Sequence, residues 1–157
     1  MIKYILSIIL LGSSASIYGQ EIPELNQQIL TFVEVNIGQQ VRRGECWDLV
    51  AIPLNAYGAK WDLSYEYGRN YNPKKEAVIK GDIIQFEGVK IQYTEGNTTY
   101  TETMEHHTAV VYDLISPTTF KIAHQNNGFS GRKVGISELD IETVKKGKLL
   151  FYRPVKM

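Results

Sequence analysis

The apolar residues of this chain change their period part-way along, and that change limits the folds open to it. Up to about residue 58 they recur at steps of three and four; from about residue 78 they recur at steps of two. Ile22, Leu25, Ile29, Phe32 and Val33 follow helical spacing over residues 23–35, with Pro23 suited to a first turn and Gly38 beyond the end. A second helix is predicted from near Gly44, its apolar face made by Cys46, Leu49, Val50, Pro53, Leu54 and Tyr57, kinked at Pro53 and ended by Gly58. The later part reads as a meander. After a turn at Gly81-Asp82 come a strand at 83–86, a hairpin of 89–93 and 98–104 joined by "TEGN", and strands at 107–114 and 119–125. A short strand at 133–136, a short helix opened by the capping pattern of "SELDIETVKKG" and a last strand "KLLFYRP" complete it. Helices followed by an antiparallel meander make an α+β domain, and 157 residues suffice for one domain with a core.

The first residues, "MIKYILSIILLGSSASIYGQ", carry Lys3, an apolar run over 4–11, small residues over 12–16 and Gly19 as the last residue before cleavage. This is a secretory signal pattern, and the run is short of the roughly 20 residues a membrane span needs. The expected organisation is a signal peptide at 1–19 and a single domain at 20–157. The protein is expected to be secreted or periplasmic, with no membrane span after cleavage; an N-terminal anchor helix is the alternative. Seventeen basic and seventeen acidic residues balance, so no overall field draws the chain to nucleic acid or an anionic membrane. The expected state is a monomer. Asn97 begins a glycosylation sequon that matters only in a host with an endoplasmic reticulum.

Against that background the single cysteine, Cys46, needs an explanation. Structural cysteines of exported proteins come in pairs, and an odd one points to a reactive thiol or an intermolecular bridge. The first turn of a helix favours an anion, which would lower the Cys46 pKa and make it a nucleophile. Cys46 is also in phase with an apolar face, where it would be a small core residue. A nucleophile needs a base, and the chain offers His106, His107 and His124. His106 and His107 are neighbours on a strand, so only one can face the helix. His107 opens "HTAVV"; His124 or Asn126 on the next strand would orient its ring. The same Cys46, His107 and His124 could instead be three zinc ligands, although their spacing matches no compact zinc pattern.

"GECWDLV", "GDIIQF", "HHTAVV" and "HQN", in that order, resemble the NlpC/P60 and CHAP group of papain-like cysteine peptidases and amidases. The closest likeness is to the cysteine-proteinase-fold domain also found in fungal actin-patch proteins, and it covers roughly residues 38–154. The resemblance implies helices packed on a small antiparallel barrel or sheet, with Cys46 as nucleophile and His107 as base. CHAP domains often carry Glu-Gln-Asn where this chain has His124-Gln125-Asn126, so either His124 or Asn126 would be the third member. Gln40 lies where papain-like enzymes place a glutamine of the oxyanion hole; it is equally a solvated residue before a helix. Trp61, Tyr65 and Tyr67, in the aromatic segment 59–73, would line a substrate groove or cap one end of the barrel. The activity implied is hydrolysis of a peptide or amide bond in a peptide or peptidoglycan-like substrate, through a thioester and without a cofactor. The rivals are a binding module that kept the fold without the chemistry, the zinc site, and a transferase passing the acyl group to an amine.

Overall fold

The computed structural model describes residues 21–128 and 130–157, and the expected signal peptide lies outside them. Two helices precede the main sheet: α1 (Glu24–Asn36) and α2 (Asp48–Ala56). Six strands follow, β1 (Arg69–Tyr71), β2 (Ile83–Glu95), β3 (Thr98–Leu114), β4 (Thr119–His124), β5 (Gly135–Asp140) and β6 (Val144–Arg153). They form one antiparallel sheet in the order β1-β6-β2-β3-β4-β5. The class is α+β, as the change of period implies. No helix among the described residues is long and apolar enough to cross a membrane.

Several sequence expectations need correction. The separate strands predicted at 83–86 and 89–93 are one strand, as are those at 98–104 and 107–114. The predicted helix over "SELDIETVKKG" is the end of β5, a single 3₁₀ turn (Ile141–Thr143) and the start of β6. The capping pattern opens at Ser137, but that hydroxyl lies 2.8 Å from His124 Nε2; the cap that forms is Asp140, whose Oδ1 accepts from the Glu142 N–H at 2.9 Å and caps one turn only. The second helix starts at Asp48, so Cys46 lies in the turn before it rather than in its first turn.

The sheet has two unlike faces. Helices α1 and α2 cover one of them, where Leu25, Ile29, Val33, Leu49, Val50 and Leu54 pack with Ile83, Val110, Ala123 and Tyr152. The other carries Ile84, Phe86, Ala109, Val111, Phe120, Ile122, Leu139 and Phe151. No helix among the described residues covers it, and it buries these residues by curling. Strands β4 and β6 are three positions apart, ~14 Å in a flat sheet, yet the Phe120 and Phe151 rings are 6.2 Å apart. Irregular register between Glu87 and Ile91, where β2 meets β6, bends the sheet. A Cβ on Gly147 there would lie 2.4 Å from the Gly88 carbonyl oxygen, so only glycine fits that crossing. The barrel expected from the resemblance is a curled sheet with β1 and β5 as its edges.

The Gly81-Asp82 turn anchors the layers to one another. Asp82 is fully buried and accepts hydrogen bonds from Asn26 of α1, Tyr71 of β1, the Ile79 N–H and Arg153 of β6. Four parts of the chain converge on one carboxylate, which fixes how α1 sits on the sheet.

Candidate functional site

Strand pairing decides where each candidate residue points. In β2 and β3, Ile83 faces Val110 and both pack under the helices, while Ile84 faces Ala109 and both pack on the other side. The next pairs continue that alternation: Gln85 with Thr108 on the helix side, Phe86 with His107 on the opposite side. In β4, Ala123 pairs with Val110 under the helices, so His124 turns away and Gln125 turns toward them.

Cys46 is half-buried on the helix side. Its polar neighbours there are Thr108 and the Trp47 backbone, both of which favour the thiolate. Burial of the thiol outweighs them, and its pKa lies above the ordinary value. Around it the polar groups satisfy one another. Thr108 Oγ1 donates to Gln85 Oε1 at 2.7 Å, and the buried Tyr67 hydroxyl lies 2.9 Å from Thr108 Oγ1. Gln125 pins the loop before Cys46: its Oε1 accepts from the Val41 N–H, and its Nε2 donates to the Val41 and Glu45 carbonyls. Asp48, fully buried at the start of α2, accepts from the Arg43 and Glu45 N–H groups.

The histidines expected at this thiol bond elsewhere. His107 Nε2 and His124 Nδ1 are 2.9 Å apart, and His124 Nε2 lies 2.8 Å from Ser137 Oγ. The three form a continuous chain on the open face, where the His107 ring packs edge-on to Phe86. Each of the two histidines is 5 % exposed. Burial pushes the His107 pKa down to about 4; burial, and then repulsion from His107, push that of His124 down to about 3. Both rings are neutral at pH 7. Of the predicted triad, His107 and His124 meet; Cys46 belongs to a different hydrogen-bond network.

The remaining candidates have plain roles. Asn126 has left the strand, at φ 59°, and donates to Glu45 Oε2 at 2.9 Å, so it does not orient His107. Gln40 is exposed and donates to the Arg42 carbonyl at 3.2 Å, occupied in its own turn rather than aimed at an oxyanion. Tyr67 is core. Trp61 stacks on Tyr67 and contacts Trp47, and Tyr65 lies edge-on to His106. These three cap the Cys46 side of the sheet. His106 is on that side too: its Nδ1 is 2.9 Å from Glu87 Oε2, and Gln85 Nε2 is 3.4 Å away. Among the described residues no group of three or more His, Cys, Asp or Glu is arranged to hold a metal, and the zinc set of Cys46, His107 and His124 is not gathered.

Residues 18–157 match the model of the AIM3/BBC1 cysteine proteinase-fold domain. The chain belongs to this family. No curated protein sequence matches the chain significantly. Among solved structures it is similar to two of Ly7917, one described as the crystal structure alone and one with the hydrolyzing product of MDP. Sequence identities are 17% and 18% and TM-scores 0.45 and 0.47. The matches cover 81% and 82% of this chain but 62% and 63% of the Ly7917 chains, so it spans less than two thirds of their length. At that distance nothing about activity passes from Ly7917 to this domain.

Proposed function

We propose that this AIM3/BBC1-family domain is an exported papain-fold binding module, not a hydrolase driven by a Cys46–His107 pair. One observation carries the reading: the strand register puts Thr108 on the helix side beside Cys46, while His107 bonds to His124 on the other face. A thiol is activated by an adjacent imidazolium or a helix terminus that lowers its pKa. Cys46 has a raised pKa, and His107 is a neutral ring engaged elsewhere. Export rests on the signal pattern of residues 1–19.

A second reading keeps the enzyme: a cysteine hydrolase that cleaves a peptide or amide bond of a peptidoglycan-like substrate. It is favoured by the family's cysteine proteinase fold and by His106, which shares the Cys46 side and has a carboxylate, Glu87, on its ring. In that reading His106 takes the thiol proton, Cys46 attacks the carbonyl, the amine leaves with the proton, and water hydrolyses the thioester.

The test is iodoacetamide alkylation of Cys46 against pH, in the wild type and in His107→Ala and His106→Ala. The binding-module reading expects an apparent thiol pKa above the ~8.5 of a free cysteine, unmoved by either substitution. Rapid alkylation well below that pH, abolished by either variant, would sink it. Loss in His107→Ala restores the predicted pair; loss in His106→Ala establishes the second reading.

A further inference from the structure

The open face of the sheet holds a groove of about 1270 Å³ that includes His107, His124 and Ser137 among its lining residues. Glu95, Glu102, Glu105, Glu138 and Asp140 also line it, and among the described residues no Lys or Arg does. The whole chain has zero net charge, so this concentration is local. Ile91 and Tyr93 pack against the second core cluster, and the alternation of β2 puts Glu95 on their face; Glu102 pairs with Ile91 across the strands. A groove lined by one charge focuses its field on ligands of the opposite sign.

The histidine chain gives a second, independent observation. His107 is 95 % buried by the complement of its 5 % exposure, yet its Nδ1 has no hydrogen-bond partner among the described residues and the residue lines the groove. The chain can be protonated in two directions. In one, Ser137 donates to His124 Nε2, His124 Nδ1–H donates to His107 Nε2, and His107 Nδ1–H is a free donor. In the other, His107 Nε2–H donates to His124 Nδ1, His124 Nε2–H donates to Ser137 Oγ, and His107 Nδ1 is a free acceptor. Both are neutral and conserve protons. A ligand that brings N–H donors selects the second.

We propose that this groove binds a basic peptide segment, with one lysine ammonium or arginine guanidinium donating to His107 Nδ1 and further cations of the segment lying against the glutamates along β2 and β3. The uncharged imidazoles do not repel such a group. The proposal rests on the binding-module reading and names its ligand class.

The experiment measures fluorescence anisotropy of a labelled nonapeptide of alternating Lys and Gly, with an alternating Glu and Gly peptide as control. The full domain is used, together with Glu95→Gln/Glu102→Gln and, as a charge-matched control outside the groove, Glu24→Gln/Glu34→Gln. The basic peptide is expected to bind at least tenfold more tightly than the acidic one, less tightly as salt rises. The groove variant should lose about fivefold, as removal of two exposed charge pairs implies, and the α1 variant nothing. ¹⁵N shifts of His107 should report conversion of Nδ1 to the acceptor form on binding. Equal binding of the two peptides, no binding, no difference between the variants, or an unchanged His107 tautomer overturns the proposal. Its failure is separable from that of the reading beneath it. A reactive Cys46 beside a tight basic-peptide complex would overturn the binding-module reading and leave the groove assignment standing.

Discussion

The two faces of the sheet treat their polar residues in opposite ways. Under the helices, Gln85, Thr108, Tyr67 and Gln125 bond to one another or to the loop before Cys46, and the thiol is drawn into that network. On the open face the His107–His124–Ser137 chain ends in a ring nitrogen with no partner among the described residues, beside a groove. Adjacent residues in one strand, His107 and Thr108, fall into these two environments only because side chains alternate. A one-residue difference in register would exchange them. Cys46 and His107 can therefore stand in the order the resemblance implies while the imidazole serves the other side of the sheet.

The contrast can be broken most strongly with acid. The unfolded imidazole titrates near ~6.5, the folded His107 near about 4. Between those values the unfolded chain holds more protons, so stability is intact above pH 6.5 and is lost as the pH falls toward 4. His107 alone accounts for about 3 kcal/mol of that loss at ~1.4 kcal/mol per pKa unit. Urea denaturation at pH 7 and pH 4.5 measures it, and His107→Phe should flatten the slope. Next in size is the covered face: Gln125→Ala leaves the Val41 N–H without a partner and takes one of two hydrogen bonds from each of the Val41 and Glu45 carbonyls, costing about 2 kcal/mol in a denaturant titration. The same variant should speed Cys46 alkylation, since the loop is no longer pinned. Ser137→Ala removes one end of the open chain and should cost only about 1 kcal/mol. The smallest change sharpens the contrast most: Thr108→Val removes a side-chain bond that favours the thiolate, so the Cys46 pKa should move further up while His107 keeps its own.

Much of this architecture was legible in the chain. Helix α1 was readable because one face is apolar and Pro23 and Gly38 bracket it. The meander was readable from alternation, and the turn before Asp82 from its glycine. The face of β3 was not. "AVVY" is apolar at almost every position, so alternation gives no sign of which side takes the helices. The resemblance then drew His107 toward Cys46, although the pairing of Ile83 with Val110 puts Thr108 there. Ser137 was hidden in a stretch whose capping pattern imitates a helix start. Gln125 stood inside the quoted "HQN" motif, but its value as a three-bond staple depends on a loop 80 and more residues away.

The most direct measurement is the His107 pKa by ¹⁵N-detected NMR, in the wild type and in Cys46→Ala. A value of about 4 is expected in both, because Cys46 and His107 lie on opposite faces and do not share a proton. A His107 that titrates above pH 7 in the wild type and falls when Cys46 is removed would show a thiolate–imidazolium pair, and would contradict the separation of the two faces on which the binding-module reading stands.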